Sequence, residues 1–455
     1  MYQLEDTIAA IATPAGTGGI GIVRLSGEKA FSIAEQVFAP SHPLKHLRQV
    51  LFGKFGNPRT GEILDEGLLL VMPKPQSYTT EDVVEFHAHG SPPVLEKLME
   101  ILVALGARPA EPGEFTYRAF LNGRLDLTQA EAVEALVSAQ GEAARRQALR
   151  QLTGGLAAHL EPLEESLKAL YLKIEARLEF SEDGIPPLDL EKFKKETAAA
   201  REELHKLLES YRQGRVIREG LTVALVGPPN VGKSSLLNAL LGTQRAIVTP
   251  LAGTTRDVVE GEIRLKGVQV RLFDTAGIRE AQNEVEVEGI RRSRRVIEEA
   301  DILFWIFDAS NPRESLEELK KTSLPLERTW FLFNKMDLTP KGRPWEGAGL
   351  DTGRCLGLSC QTKEGLEGVV AKIGALIQTP AGGEDVVLTS ARHREETQKA
   401  LEALGRLGGL MESSAAYELW AEELREAALA VGRIRGRNLP ATAFEEIFTK
   451  FCIGK

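Results

Sequence analysis

Residues 221–240 read LTVALVGPPNVGKSSLLNAL, so an apolar run leads into a glycine-rich loop and then into a helical pattern. The loop from Gly227 to Ser234 has the spacing of a phosphate-binding loop, in the strand-to-helix context that this motif requires. Its glycines let backbone N–H groups curl around a phosphate at the helix N-terminus, while Lys233 supplies a positive charge and Ser234 offers a hydroxyl to Mg²⁺. We therefore predict a nucleotide-binding α/β domain around this stretch.

Two later motifs indicate which nucleotide this domain binds. The sequence DTAG at 274–277 follows the apolar run 268–273, which places a carboxylate at the sheet edge where ligands of such folds bind. The sequence NKMD at 334–337 also follows an apolar run, and an ionised Asp337 can accept hydrogen bonds from N1–H and the 2-amino group of guanine. Adenine lacks both donors and would leave the carboxylate unpaired, so the motif predicts GTP and not ATP.

The predicted GTP-binding set also takes in two more loops. In the switch segment 249–257, TPLAGTTRD, Thr255 is the candidate for completing the Mg²⁺ shell with Ser234, and it is assigned to catalysis together with Lys233. In the segment SCQ at 359–361 a backbone amide would contact the guanine O6, although GTPases usually have alanine where Cys360 stands. The whole set is Asn230, Val231, Gly232, Lys233, Ser234, Ser235, Thr249, Thr254, Thr255, Asp274, Thr275, Ala276, Gly277, Asn334, Lys335, Asp337, Ser359 and Cys360.

Hydrolysis needs a group that orients the attacking water, and the usual one is missing. Ras-like enzymes have a glutamine directly after DTAG, whereas this chain has Ile278. The Asn230 carboxamide and the TTRD-type switch resemble those of GTPases activated by K⁺. That resemblance implies that Asn230 and main-chain oxygens of Thr249, Leu251 and Thr254 surround K⁺ where an arginine finger would otherwise place its charge. The alternative is that Asn230 only stabilises the loop.

Length and composition limit the classes of protein to which this chain can belong. At 455 residues the chain exceeds the size of a single hydrophobic core, so we expect about three domains. With 43% hydrophobic and 27% charged residues and no apolar run that could span a bilayer, we expect a globular protein without a membrane partner. Three scattered cysteines and an N-terminus without a signal pattern favour the cytoplasm. Because the net charge is −9, any contact with nucleic acid must come from a local patch or a partner.

The order of strand and helix patterns predicts a multidomain fold with α+β and α/β parts. Residues 1–120 mix strand-like runs with short helices and predict an N-terminal α+β domain, while 121–215 have helical periodicity. Residues 216–380 alternate strands and helices, which predicts a Ras-like doubly wound G domain, and helical periodicity returns over 381–455. We therefore predict a G domain inserted into a helical domain that is built from two chain segments.

Two local signals place individual helices. Pro92 and Pro93 after Ser91 predict a helix start, and Gly106 predicts the end of the same helix. Near the start of the first helical segment, Thr128 followed by Glu131 predicts a capping box.

Motifs in the flanking segments distinguish between GTPases that act on different substrates. They are DTI at 6–8, GGIGIVRLSG at 18–27, YTTED at 78–82, NGRLDLTQAE at 122–131 and FCIGK at 451–455. With these motifs, nearly the whole chain resembles the TrmE/MnmE family of bacterial tRNA-modification GTPases in the Era-like superfamily. The resemblance implies a homodimer that works with the flavoprotein MnmG, as a heterotetramer, on C5 of the wobble uridine (position 34) of certain tRNAs. The group that the resemblance implies is added there is carboxymethylaminomethyl or aminomethyl.

The resemblance also implies a folate site. Family members bind 5-formyltetrahydrofolate or a related tetrahydrofolate as the one-carbon donor, and the matching positions here are Arg24, Glu81, Arg124 and Lys455. Position 124 is usually lysine, so the charge is kept but its geometry changes. Folates carry an anionic glutamate tail, so basic partners make physical sense.

Two further residues have competing interpretations. In the family a glutamate downstream of DTAG positions the water, and Glu286 is the matching catalytic candidate here; Glu284, Glu288 and plain solvated surface compete with it. Cys452 is either a reactive thiol near the end of the chain or a bystander.

Another class of function is also compatible with the phosphate loop. An Era-type RNA-binding assembly factor shares the asparagine in this loop, and it carries a KH module with a GxxG loop, which residues 405–408 spell. No strand pattern surrounds those residues, so this is the alternative. His87 and His89 alternate on a strand, but without a third ligand nearby they favour a core or surface role over a metal site.

Overall fold

A computed structural model describes most of the chain in two compact units. The first comprises Met1–Ser138, Ala148–His205 and Arg392–Lys455, and the second comprises Ala139–Gln147 and Lys206–Ala391. The described residues are 5–40, 48–179, 186–243, 261–274, 295–322, 324–339, 342–377, 386–413 and 416–455.

The first unit begins with a seven-stranded sheet in the order β3-β4-β5-β6-β2-β1-β7. Its strands are antiparallel neighbours except for β1 and β7, which pair in parallel. Alternate residues such as Val23, Leu69 and Phe86 are buried in one core with the helices that cover this face. The strands are β1 Ile8–Ile11, β2 Gly18–Ser26, β3 Phe38–Pro40, β4 Gln49–Gly56, β5 Ile63–Met72, β6 Val83–Gly90 and β7 Arg108–Pro109.

The rest of the first unit is helical and draws on both flanks of the second unit's sequence. The helix Pro92–Ala104 starts at the predicted prolines and is followed by Gly106 in a positive-φ conformation, which confirms its predicted start and stop. The helices within this unit are Ala30–Val37, Pro92–Ala104, Glu114–Leu121, Leu127–Val137, Gly155–Glu179, Tyr417–Ile434 and Ala441–Phe448. The helices that include residues of both units are Glu142–Leu152, Leu190–Glu209 and Ala391–Glu412.

The predicted capping box at Thr128 and Glu131 is wrong. The helix begins two residues earlier than that pairing requires, with Asp126 as its N-cap and Gln129 as the reciprocal partner. Asp126 is the stronger cap because its carboxylate accepts from the Gln129 N–H, and the Thr128 hydroxyl itself donates to that carboxylate at 2.6 Å. Glu131 instead pairs with Arg392 at 2.9 Å.

The second unit is built around a six-stranded sheet in the order β13-β12-β11-β8-β10-β9, in which β9 is antiparallel to its neighbour and the other pairings are parallel. Hydrophobic clusters lie on both faces, as expected for a doubly wound sheet. The strands are β8 Leu221–Val226, β9 Gly261–Leu265, β10 Val268–Asp274, β11 Ile302–Asp308, β12 Thr329–Asn334 and β13 Cys355–Gly357. Helices of this unit include Tyr211–Glu219, Lys233–Thr243, Pro312–Lys321 and Leu366–Leu376, and residues 295–299 are also helical.

The predicted combination of α+β, two-segment helical and doubly wound parts is therefore confirmed. In the described part of the chain, no helix has the length and hydropathy needed to cross a membrane. Residues 405–408 lie inside the helix Ala391–Glu412, so they do not form a KH-type loop. Within the described ranges no three His, Cys, Asp or Glu side chains cluster as a metal site.

Candidate nucleotide-binding site

The loop between β8 and the helix Lys233–Thr243 requires unusual backbone conformations. Gly227 and Gly232 have φ values of 146° and 99°, and Asn230 between them has φ 62°. A Cβ atom at Gly227 would lie 2.7 Å from the carbonyl oxygen of Ile306, and one at Gly232 would lie 2.2 Å from Asn334 Nδ2. Glycine is thus required at both positions by φ and by close packing against neighbouring strands.

Lys233, the first residue of that helix, folds its ammonium group back over the loop. Its Nζ donates to the carbonyl oxygens of Gly227 and Pro228 at 2.8 and 2.6 Å, and the residue is only 6% exposed. The positive charge is therefore held at the helix N-terminus, where phosphate oxygens bind in such loops.

Ser234 and Asp274 form the part of the cleft that fits a divalent cation. The Ser234 hydroxyl donates to Asp274 Oδ2 at 2.7 Å. The other carboxylate oxygen, Oδ1, is buried and has no hydrogen-bond partner among the described residues. An unsatisfied buried acceptor costs about 1–3 kcal/mol, and a cation or its hydration water would offset this cost. Oxygen donors of this type are those that Mg²⁺ prefers, so these residues fit the ion that the sequence predicts.

The guanine motif begins where β12 ends. Asn334 is 2% exposed, its Nδ2 donates to the carbonyl oxygen of Val231 at 2.8 Å, and its Oδ1 accepts from the backbone N–H of Cys360 at 3.1 Å. The side chain therefore joins the phosphate loop to the predicted guanine-contacting loop. Both its polar atoms are used by the protein backbone.

Lys335 and Asp337 face the same cleft. Lys335 has φ 66°, and its Nζ forms an ion pair of 2.6 Å with Asp308 at the end of β11. The pKa of the Cys360 thiol is raised to about 11, mainly by burial and to a smaller extent by the nearby charge of Asp337. This thiol is therefore neutral at physiological pH.

These groups line one cleft of about 870 Å³, a volume in the range of ligand pockets. The structure thus brings the phosphate-binding and base-binding parts of the predicted set together. The lining residues are Pro229, Asn230, Gly232, Lys233, Ser234, Ser235, Asn334, Lys335, Asp337, Leu338, Cys360 and Gln361. Ser359 is buried behind the cleft, where its hydroxyl accepts from the Thr362 N–H.

Several predicted residues lie outside the described part of the chain. They belong to the switch segment, to DTAG after its aspartate, and to the region of the water-positioning candidates. They are Thr249, Leu251, Thr254, Thr255, Thr275, Ala276, Gly277 and Glu286.

In the first unit, Arg24 and Arg124 both lie close to one aromatic ring. The guanidinium groups of Arg24 and Arg124 are 5.7 and 4.7 Å from the centre of the Tyr78 ring. Arg24 also donates to Glu85 at 2.7 Å and to the carbonyl oxygen of Gly454 at 3.1 Å. Two predicted folate residues and the C-terminal segment are therefore close together.

The other two predicted folate residues have different surroundings. Glu81 accepts from Ser26 at 2.6 Å and from the buried Arg118 at 3.3 Å, so its carboxylate is held by the protein itself. Lys455 donates its backbone N–H to the carbonyl oxygen of Cys452 at 3.3 Å, while the Cys452 residue is exposed.

Comparison with known proteins agrees with this arrangement. A family model described as the MnmE helical domain matches residues 127–452, and one described as the GTP-binding protein TrmE N-terminus matches residues 7–124. This chain belongs to the MnmE family of tRNA modification GTPases. A tRNA modification GTPase MnmE from Thermus thermophilus is 43% identical over 100% of both chains. The MnmE of Aquifex aeolicus is 42% identical over 99% of this chain and 100% of its own length.

Two features of this MnmE family member were missed by the sequence reasoning. Asp308 pairs with Lys335, and the signal for it was a carboxylate directly after the apolar run 302–307, as at Asp274. Tyr78 and Glu85 flank Arg24, and only Tyr78 lies in a quoted motif. The proximity of Glu85 to Arg24 depends on the pairing of β2 with β6, which no local pattern reveals.

Proposed function

We propose that this chain binds and hydrolyses GTP and that the hydrolysis serves tRNA modification, as the name of its family indicates. The observation that carries the proposal is the single cleft that Lys233, Ser234, Asn334, Lys335 and Asp337 share. A base edge can meet Asp337 at one end while phosphates meet Lys233 at the other. A nucleotide needs base contacts and phosphate contacts in one cleft, whereas a smaller anion would need only the phosphate contacts.

The chemistry of the phosphate end follows from the hydrogen bonds described above. Lys233 would exchange its bonds with two loop carbonyls for bonds to the β- and γ-phosphates of GTP. Ser234 would turn its hydroxyl from Asp274 to Mg²⁺, and Asp274 would hold the ion's water. Bound Mg²⁺ neutralises charge that develops on the phosphate oxygens. In this proposal Thr255 completes the metal shell and Glu286 positions the attacking water.

We further propose activation by K⁺. Asn230 lies in the phosphate loop with φ 62° and lines the cleft, which supports a role for its carboxamide beside bound phosphates. Main-chain oxygens of Thr249, Leu251 and Thr254 complete the K⁺ site in this proposal. The ion then contributes the charge that an arginine finger supplies in other GTPases.

The proposed modification takes place with the flavoprotein MnmG in the cytoplasm. It adds an aminomethyl or carboxymethylaminomethyl group at C5 of uridine 34 of certain tRNAs, with a tetrahydrofolate as the one-carbon donor. Arg24 and Arg124, which are close together beside Tyr78, support this folate site because their charges suit an anionic glutamate tail. Glu81 and Lys455 are the other proposed folate residues, and the exposed Cys452 is a candidate reactive thiol.

The proposed homodimer is supported by the outer face of the N-terminal sheet. Phe52 on β4 and Leu68 on β5 are register partners, and they are 56% and 41% exposed. Val50, on the same face of β4, is 58% exposed. Contiguous exposed apolar side chains on a sheet are typical of a protein interface, and a second copy of the chain would cover them.

The experiment that tests the function compares cells that lack this protein with cells that carry it or its Lys233→Ala variant. We expect the wobble-uridine modification, measured by mass spectrometry of tRNA nucleosides, to be lost without the protein and restored only by the wild-type chain. The purified wild type should release phosphate from GTP and the variant should not. Normal modification in the deletion strain would overturn the role in tRNA modification, while absence of GTP turnover would overturn the enzymatic assignment.

A further inference from the structure

Asp308 lies beside the guanine motif although it belongs to a different strand. It is the last residue of β11 and the register partner of Asn334, the last residue of β12. The backbone N–H of Ala309 donates to the carbonyl oxygen of Asn334 at 2.8 Å, which fixes the two strand ends to each other. The position of the Asp308 carboxylate relative to Lys335 is therefore set by the sheet and not by a loop.

Both oxygens of the Asp308 carboxylate are engaged. Oδ1 accepts from the backbone N–H and the hydroxyl of Ser310 at 2.9 and 2.5 Å, and Oδ2 accepts from Lys335 Nζ at 2.6 Å. Burial alone would raise the pKa of Asp308, but the bonds from Lys335 and Ser310 outweigh it and hold the pKa below its ordinary value. The group is thus an oriented anion at neutral pH, with one oxygen directed at Lys335.

Lys335 needs such an anchor because its side chain is long and flexible. A lysine has several rotatable bonds, and ordering them on ligand binding costs conformational entropy. Here the backbone at Lys335 has φ 66° and the ammonium group is held by Asp308, so both ends of the methylene stem are held at the cleft before a nucleotide arrives. Preorganisation of this kind strengthens binding without a new contact to the ligand.

We propose that Asp308 is a positioning residue for guanine nucleotides, which acts by holding the Lys335 stem in place over the base. The inference rests on the proposed function, because it takes the cleft to be a GTP and GDP site. Asp308 itself does not touch the nucleotide in this proposal. Its effect on affinity must therefore disappear when the Lys335 ammonium group is absent, and it must not depend on which hydrogen-bonding groups the base carries.

The test measures the dissociation rate of fluorescently labelled GDP and IDP from the full chain by stopped flow, in the wild type, Asp308→Asn, Lys335→Met and the double variant. Glu346→Gln is the matched control, since Glu346 is an exposed acid of the same unit. We expect Asp308→Asn to release both nucleotides about 5-fold faster, as for the loss of a partly exposed ion pair, with thermal unfolding unchanged and an unchanged GDP to IDP ratio. Glu346→Gln should match the wild type.

The decisive comparison is the effect of Asp308→Asn in the wild type against its effect in Lys335→Met. In Lys335→Met, adding Asp308→Asn should change the dissociation rate by less than about twofold, because coupled residues are not additive. An equally large effect of Asp308→Asn in both backgrounds, or no effect in the wild type, would overturn the inference. If the wild type failed to bind GDP at all, the proposed function would be wrong, and that outcome is distinguishable from failure of the Asp308 mechanism.

Discussion

Asn334 donates to the carbonyl oxygen of Val231 at 2.8 Å and so connects the guanine end of the cleft to its phosphate end. The contact is buried, and the second polar atom of the same side chain accepts from Cys360 at 3.1 Å. A side chain that bridges two loops in this way sets the distance between them, and hence the distance between the base and phosphate contacts. The Asn334 carboxamide is therefore a structural link within the site, and its Nδ2 has a second N–H that can donate to the base.

Replacing Asn334 by alanine should destabilise the second unit and weaken nucleotide binding together. The change leaves the Val231 oxygen and the Cys360 N–H without this partner, at a cost of about 2–3 kcal/mol.

Gly232→Ala should weaken GDP binding by displacing the same Asn334 side chain, because the alanine Cβ would lie 2.2 Å from Asn334 Nδ2. Gly242→Ala is the control, since no atom outside its local backbone lies within 4 Å of a Cβ there. Calorimetric GDP affinity that is equal for Gly232→Ala and the wild type would contradict this account.

Asp337→Asn should change base preference from guanine to xanthine. The carboxylate accepts from N1–H and the 2-amino group of guanine, whereas a carboxamide can donate to the C2 carbonyl of xanthine. We expect GTP affinity to fall by about 100-fold or more and XTP affinity to rise, as measured by competition with a labelled nucleotide. Glu317→Gln, on the helix Pro312–Lys321, removes a similar exposed charge and should leave both affinities unchanged. A parallel loss of GTP and XTP binding would point to misfolding instead.

Asp274→Asn should raise the Mg²⁺ requirement of GTP hydrolysis. Asp274 Oδ1 has no hydrogen-bond partner among the described residues, and Oδ2 accepts from the Ser234 hydroxyl. In the proposed site this carboxylate holds the water molecules that surround the metal. Loss of such an outer group typically costs roughly 10- to 100-fold in metal affinity or activity, and we expect a similar factor here. Chelation of Mg²⁺ should abolish turnover in the wild type. Ser234→Thr, which keeps the hydroxyl, should retain more activity than Ser234→Ala. If all these variants had the Mg²⁺ dependence of the wild type, the metal would have to be held elsewhere.

Exchange of K⁺ for Na⁺ should lower the turnover of GTP. An arginine finger contributes a factor of roughly 10³ to 10⁵, so loss of its ionic substitute should reduce kcat by about 10³-fold with little effect on GDP affinity. The variant Asn230→Ala should be slow in both salts. Steady-state phosphate release at constant ionic strength checks this. Equal turnover in KCl and NaCl would exclude K⁺ activation while leaving the GTPase assignment intact.

Acid should destabilise the first unit through Glu131. Burial would raise the pKa of this carboxyl, but the charges of Arg392 and His393 overcome that effect and hold it well below its ordinary range. A depressed folded-state pKa gives stability that is present above the unfolded pKa of about 4.3 and is lost as the pH falls below it. The loss begins near the unfolded pKa and grows toward the depressed folded pKa, so thermal unfolding at about pH 7, pH 4 and pH 3 should show it increase with acidity in the wild type.

The variant Glu131→Gln tests the same pair at neutral pH. It leaves Arg392 without this anion and His393 without this hydrogen-bond partner and should cost about 3–5 kcal/mol of stability, while removing much of the acid sensitivity. Glu165→Gln, an exposed acid on the helix Gly155–Glu179, is the control and should change neither property. Identical acid sensitivity in Glu131→Gln and the wild type would show that other carboxyls are responsible.

Local sequence was a good guide wherever a motif and its structural context coincide. The strand and helix around the phosphate loop lie where the sequence LTVALVGPPNVGKSSLLNAL places them, because apolar patterning and glycine spacing act within a few residues. The helix after Ser91 was predicted for the same reason. The cap at Asp126 was missed because Asp126 and Thr128 can both cap a helix, and the choice depends on which side chain accepts from Gln129.

The sequence by itself determined the fold class, the type of nucleotide and the family, since these follow from short patterns of glycine, lysine, asparagine and aspartate. Tertiary structure decided which side chains act together. Asp308 and Lys335, or Arg24 and Glu85, are far apart along the chain and meet only because strand pairing aligns their backbones. Register is a property of the whole sheet, so contacts across it cannot be inferred from any local pattern of residues.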